Sequence, residues 1–392
     1  MFNGNRKKHK QVGGRLINEI DETHAGTGCT YFPSLLCKNQ TKVPHNTVSK
    51  IVRKEDAEEE FYNHSIIEII DPTYTFHLPL PRKCIPKAPT LKELKELQRC
   101  HLFQHTDLLE LNAKERKVLF DDYRLLQTKY HGISLASYLE KLARALTKVK
   151  PSKEERERLF LQCLPYFTPL IRCVYQLNQY EYIHGEIRPE NIIIDPISQD
   201  TKVIDFGLLT KYENVREKEV FQFMTYLWPL DHFFLQDDYR SVIDNPSTYE
   251  HIQTIYHDPD HHQDLYGDIL EETLIRTNES QSLYFHRLNS SSMTKAYNKL
   301  GETQFIQQII STMDIFSLGL VFLQIWNSIL GKPFLHTRDT SIYNPSHEFS
   351  TKFKEKMDII HYLIYTMLGS TFMDRISPST LWEEWITYTK TI

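Results

Sequence analysis

The run His184-Gly185-Glu186-Ile187-Arg188-Pro189-Glu190-Asn191, followed by Ile204-Asp205-Phe206-Gly207, decides how this chain is read. Between them the apolar pieces Ile192-Ile193-Ile194 and Val203-Ile204 flank the turn-rich Asp195-Pro196-Ile197-Ser198-Gln199-Asp200, a pattern that predicts a β-hairpin. A carboxylate at Glu186 and a carboxamide at Asn191, close together on one loop, can face the same phosphate. A second carboxylate, Asp205, returns at the end of the neighbouring strand, where it can hold a metal ion. Phosphoryl transfer asks for little more than this: positioning, a cation to neutralise phosphate charge, and a carboxylate to orient the attacking hydroxyl. Either run alone could be a polar loop or a chance Asp-Phe-Gly, but in this order across a hairpin they support each other.

Working outward, the chain changes character near residue 130. Before it, strand-like pieces at Gly14–Ile20, Thr47–Val52, Thr73–Leu80 and Tyr123–Tyr130 are separated by polar segments. Charged helical stretches fall at Arg53–Ile70 and Thr90–Arg99. After it come longer helices. Leu164, Phe167, Ile171, Val174 and Leu177 form one apolar stripe, in which Pro165 and Pro169 predict a kink or a late start. The stretch 233–305 is polar and histidine-rich and reads as an insertion with some helix, for example Leu265–Ile275. Within it His257, His261 and His262 lie among Asp258, Asp260 and Asp264, a pattern that reads as a solvated loop rather than a metal site.

Composition sets the outer bounds. The 392 residues are 40% hydrophobic and 25% charged, enough for one large two-lobed unit or two domains. A net charge of −5 supplies no global attraction to nucleic acid or anionic membrane, and the basic start Arg6-Lys7-Lys8-His9-Lys10 reads as a frayed terminus. The most apolar stretch, Ile315–Leu330, is interrupted by Ser317, Gly319, Gln324, Asn327 and Ser328, which predicts a buried core helix and no membrane span. The six cysteines, Cys29, Cys37, Cys84, Cys100, Cys163 and Cys173, include no CxxC pair. Together with a start that is polar over ten residues, they are expected to be reduced thiols in a cytosol-like compartment.

The two quoted runs resemble the catalytic loop and metal-binding motif of protein kinases, and further matches follow in order. Lys50, in Val48-Ser49-Lys50-Ile51-Val52, resembles the strand lysine that grips the α- and β-phosphates, with Glu60 or Glu59 of the run Glu58-Glu59-Glu60 as its partner. Leu125–Leu135 resembles the strand and hinge beside the adenine, and Met313-Asp314-Ile315-Phe316-Ser317-Leu318-Gly319-Leu320 resembles the buried helix of the C-lobe. Trp228-Pro229-Leu230-Asp231 and Asp374-Arg375-Ile376-Ser377-Pro378 stand where kinases form an ion pair, here Asp231 with Arg375.

The resemblance implies an α+β, two-lobed protein kinase fold, with an N-lobe over 1–130 and a C-lobe over 131–392 that carries the 233–305 insertion. It implies ATP and Mg²⁺ (or Mn²⁺) as cofactors, and transfer of the γ-phosphoryl group to Ser or Thr of a protein substrate. A protein partner at the insertion is a further expectation. Gly26, Gly28, Lys50 and Glu60 would contact the nucleotide, Asn191 and Asp205 would hold the metal, Glu186 would orient the hydroxyl, and Arg188 would offset charge. The sequence is most similar in flavour to kinases of large cytoplasmic DNA viruses. That likeness rests on Gly13-Gly14, Gly26-Thr27-Gly28-Cys29-Thr30-Tyr31-Phe32-Pro33, Cys37, the Val-Ser-Lys strand and Ile70-Asp71-Pro72. It implies a location in the host cytoplasm or the virion.

Three departures bear on activity. Ala25 and Thr23 stand where two glycines of a phosphate loop would fall, which limits how closely backbone N–H groups can approach phosphate. Glu186 replaces an aspartate, a shift of about 1 Å, and misplacement on that scale can cost about 10²-fold. Arg188 replaces a lysine, keeping the charge but presenting it as a flat fork. Two rivals therefore stand beside the serine/threonine kinase: a pseudokinase that works as a nucleotide-binding scaffold, and a small-molecule kinase of related fold.

Overall fold

The computed structural model describes residues 15–16, 28–218, 228–257, 290–330, 350–369 and 371–390. The chain divides into two compact units, Met1–Pro72 with Leu78–His131, and Thr73–His77 with Gly132–Ile392. The first is β-rich and the second helical, the α+β division expected from the sequence.

The smaller unit is an antiparallel sheet of β1 (Arg15–Leu16), β2 (Gly28–Phe32), β3 (Thr47–Arg53), β4 (Arg82–Cys84) and β5 (Tyr123–Lys129), in the order β1-β2-β3-β5-β4. From Thr47 to Ile51 the residues of β3 alternate between buried and half-buried, the pleat of a strand covered mainly on one face. Helix α1 (Lys54–Ile70) follows it directly and buries Ala57, Glu60, Asn63, His64, Ile67 and Ile70, a stripe at helical spacing that includes one carboxylate. Two shorter helices, α2 (Leu91–Leu97) and α3 (Ala113–Asp121), each begin with a capping box, Thr90 with Glu93 and Asn112 with Glu115. Leu94, Leu97, Phe103 and Phe120 then close the core against Cys29, Tyr31 and Ile51 of the sheet.

Two expectations fail here. Thr73–Leu80 is not a strand; within it His77 makes only an isolated bridge, to Val203. Pro79 and Pro81 lack the N–H that a ladder needs, and Tyr74 turns the chain at φ 53, so pairing begins only at Arg82. The cysteines of this unit are not reduced: Cys29 is bonded to Cys100 and Cys37 to Cys84, while Cys163 and Cys173 of the larger unit are free and buried. The partners lie 71 and 47 residues apart, so no local spacing announces them.

The larger unit opens with β6 (Ile133–Ser134), which pairs with β8 (Ile192–Asp195), itself hydrogen-bonded to β9 (Asp200–Val203). Gly132 precedes this sheet because a Cβ there would fall 2.0 Å from the Ile194 carbonyl oxygen. Helices α4 (Leu135–Val149), α5 (Lys153–Gln162) and α6 (Phe167–Gln179) follow in chain order. The last is preceded by a 3-10 turn over Leu164–Tyr166, the late start that Pro165 and Pro169 predict. A two-stranded pair, β7 (Tyr182–Ile183) with β10 (Thr210–Lys211), brackets the quoted runs.

Beyond a 3-10 turn at Leu230–Leu235 come α7 (Asp237–Arg240), α8 (Pro246–His257), α9 (Ser290–Leu300) and α10 (Glu302–Leu330). The last two helices are α11 (Lys354–Met367) and α12 (Pro378–Thr389). Although α10 is long and apolar enough to cross a membrane, its most apolar window is 89% buried within the protein. It is the core helix that Ile315–Leu330 predicts. The helix expected at Leu265–Ile275 and the histidine–aspartate cluster around residue 260 lie outside the described residues.

Candidate functional site

In the smaller unit Lys50 lies on β3 and Glu60 on the buried face of α1, with Lys50 Nζ 2.9 Å from Glu60 Oε2. Helical phase selects this glutamate: Glu58 and Glu59 are exposed, and Glu58 pairs with Lys83 instead. Both members of the Lys50–Glu60 pair are largely buried, 15% and 7% exposed at the side chain, so the ammonium is held in one position rather than swinging in solvent. Gly28 begins β2 opposite Val52, and a Cβ there would meet the Ile51 carbonyl oxygen at 2.4 Å. Its small size is thus required by the sheet itself. Gly26, Ala25 and Thr23 lie outside the described residues, as do Gly13, Gly14 and Thr27.

In the larger unit the loop after β7 is fixed from beneath by one carboxylate. Asp314, buried on α10, accepts the backbone N–H of His184 at 2.7 Å and of Gly185 at 3.0 Å. Burial pushes the Asp314 carboxyl up to about 6, against the two N–H donors that favour its charged form. Gly185 turns at φ 78, a conformation side-chain-bearing residues rarely adopt, and its carbonyl accepts the indole N–H of Trp228 at 3.1 Å.

His184 packs 5.0 Å from the ring of Phe206. Its Nδ1 accepts the Glu186 N–H at 3.2 Å, and its Nε2 reaches the Ile204 carbonyl at 3.2 Å. Burial lowers the imidazole to about 4, so it is neutral and serves as a brace between the two quoted runs.

The groups presented above this base are close-knit. Asn191 donates its Nδ2 to the Glu186 carbonyl at 3.0 Å, which leaves Oδ1 as an acceptor. The Ile204 N–H bonds the Asn191 carbonyl at 2.9 Å, so Asp205 is anchored one residue from that junction. Asp205 itself is left-handed, at φ 62 and ψ 67, and precedes a 3-10 turn that buries Phe206. Arg188 Nε bonds Glu190 Oε2 at 2.8 Å, and its Nη1 lies 3.7 Å from Glu186 Oε1. The Arg188 side chain is 8% exposed, whereas that of Glu186 is 26% exposed.

The segment beyond ends in the ion pair. Arg375 Nη2 lies 2.8 Å from both carboxylate oxygens of Asp231, and both side chains are fully buried. Arg375 is completed by Thr312 Oγ1 and the Gly369 carbonyl, and Asp231 by the Phe372 N–H. Burial pushes the Asp231 carboxyl upward and Arg375 opposes it.

In the sequence Asp314 reads only as part of a buried helix. The signal of its role under His184 and Gly185 is a lone acid at the head of the apolar run Ile315–Leu323. Trp228 as a donor to the loop carried no such signal.

No family model matches the sequence. Among solved structures, the kinase domain of a Toxoplasma gondii specific rhoptry antigen is similar at 10% identity. That likeness covers 96% of this chain and 81% of that one, with a TM-score of 0.49.

Proposed function

We propose that the chain is an ATP- and Mg²⁺-dependent protein kinase that transfers the γ-phosphoryl group to a serine or threonine hydroxyl. One observation carries the reading: Glu186, Asn191 and Asp205 hang on a single hydrogen-bonded backbone network pinned by Asp314. Catalysis by positioning requires that rigidity.

The donor set fits a hard cation, because Asn191 Oδ1 and the Asp205 carboxylate are both oxygen ligands. Asn191 and Asp205 would hold Mg²⁺, which would supply charge neutralisation for the phosphates. Lys50, braced by Glu60, would fix the α- and β-phosphates. Glu186 would take the proton of the substrate hydroxyl as its oxygen attacks the γ-phosphorus, and the bond to the β-phosphate oxygen breaks to leave ADP. Arg188, held between Glu186 and Glu190, would act on charge at the loop rather than as a mobile clamp.

A second reading, a pseudokinase scaffold, is favoured by that same ion pair together with the longer Glu186 side chain. The two separate on labelled phosphate transfer from γ-labelled ATP to a basic protein, beside an Asp205→Asn control. The kinase reading expects Mg²⁺-dependent label in the wild type alone and an ATP-induced rise in melting temperature that EDTA removes. A scaffold keeps the Mg²⁺-dependent rise without label.

A further inference from the structure

All four cysteines of the smaller unit are paired, and the two bonds share a pattern. Cys29 and Cys37 lie on one segment, Cys84 and Cys100 on another, and the partners run in opposite senses, 29 with 100 and 37 with 84. The two segments are thus riveted at both ends. Between the rivets the backbone contacts are few: Lys38 N–H to the Ile85 carbonyl, Lys87 N–H to the Leu36 carbonyl, and a bridge from Cys37 to Pro86. A pocket of about 90 Å³ also lies there, floored by Leu35, Ile51, Leu97 and Phe120 and open to solvent beside the exposed Lys87 and Thr90. The rivets sit close to chemistry as well, for Cys29 faces Ile51 across the β2–β3 ladder and Thr30 faces Lys50.

We propose that Cys29–Cys100 and Cys37–Cys84 form a redox-dependent staple: the oxidised chain is the competent one, and reduction frees the 84–103 segment from β2 and loosens the strand that carries Lys50. The chain therefore works in an oxidising compartment, where such bonds persist. Cross-links that close long loops restrict the unfolded chain most, and the buried thiols of Cys163 and Cys173 leave the helical unit without any such dependence.

Opening follows thiol–disulfide exchange with a dithiol as the named reductant. Cys84 is half-buried, whereas Cys29, Cys37 and Cys100 are buried, so its sulfur is attacked first. The S–S bond breaks, Cys37 leaves as a thiolate and takes up a proton. The reagent's second thiol then displaces Cys84 and closes as a cyclic disulfide. Cys29–Cys100 opens by the same exchange once the segment has loosened.

The link to Lys50 rests on the nucleotide role proposed above; the staple does not, and hydrogen exchange reads it without turnover. The full chain, produced without added reductant, is alkylated in denaturant and mapped by mass spectrometry, then compared in exchange before and after dithiothreitol with EDTA present. The expected result is label on Cys163 and Cys173 only. Reduction should then speed exchange at least about tenfold over 29–36 and 91–103, with Glu302–Leu330 unchanged.

Cys37→Ser with Cys84→Ser should reproduce part of that loss in the oxidised protein. Should that double variant fail to fold, graded dithiothreitol on the wild type gives the same comparison. Label on all six cysteines at the outset, protection unchanged by reduction, or loss spread equally to Glu302–Leu330 would each overturn the staple. An Mg·ATP thermal shift that survives opening of the segment would overturn the link to Lys50. A shift absent in both redox states would instead count against the nucleotide reading and leave the staple standing.

Discussion

His184 shows how much of this site is decided by a single buried side chain. A histidine beside a candidate catalytic carboxylate invites the role of general base, but both of its nitrogens are spent on the backbone. Its folded value of about 4 lies below the ordinary 6.5, so between those limits the unfolded chain binds the proton and the folded chain does not. The stability it contributes is therefore full above pH 6.5 and is lost as pH falls toward 4. Asp314, raised to about 6 by burial, acts in the opposite sense, since its folded form accepts a proton more readily. Global stability mixes the two, so a site-specific probe is needed. Imidazole NMR shifts of His184 should stay those of a neutral ring from pH 8 to 5 and move with a midpoint near 4. A midpoint near 6.5 would show that the ring is solvated and the brace absent.

At the scale of elements, α10 acts on the loop after β7 through Asp314, and its contribution can be read by removing one lone-pair set. Asp314→Asn keeps the volume but cannot accept from both His184 and Gly185, so one buried N–H loses its partner. That costs about 1–3 kcal/mol. Urea unfolding should show that loss, and phosphate transfer should fall while Mg·ATP binding persists; an unchanged unfolding midpoint would contradict the pinning role.

The elements also show what the sequence made legible. The stripe through Leu164 and Leu177, the hairpin after Asn191 and the helix after Arg53 follow from local periodicity and turn chemistry. Thr73–Leu80 misled because its apolar content resembles a strand, while its prolines and the turn at Tyr74 act against pairing. The choice of Glu60 over Glu59 depended on which face α1 buries, which a run of three glutamates does not encode.

For the whole molecule, the features hardest to read were those joining distant parts of the chain. The two disulfides depend on the fold bringing residues 71 and 47 apart together. The ion pair of Asp231 and Arg375 spans a longer interval, 144 residues, and was legible only because both ends fall in recognisable motifs. Its removal tests the architecture of the helical unit. Arg375→Ala leaves Asp231 desolvated and unpaired, which typically costs about 3–5 kcal/mol. Chemical denaturation should register a loss of that order; a variant as stable as the parent would mean that the end of the segment is held by something else.

The central claim, that Glu186 and Asp205 carry phosphoryl transfer from one pinned hydrogen-bonded network, is tested most directly by the rate of label transfer at saturating Mg·ATP. Wild type, Glu186→Gln and Asp205→Asn are compared in one series. Glutamine keeps the size of Glu186 but cannot take the proton, so its rate should fall about 10²-fold, the scale of general-base assistance. Asp205→Asn should fall to background. Equal rates for all three proteins, whether high or at background, would contradict the account.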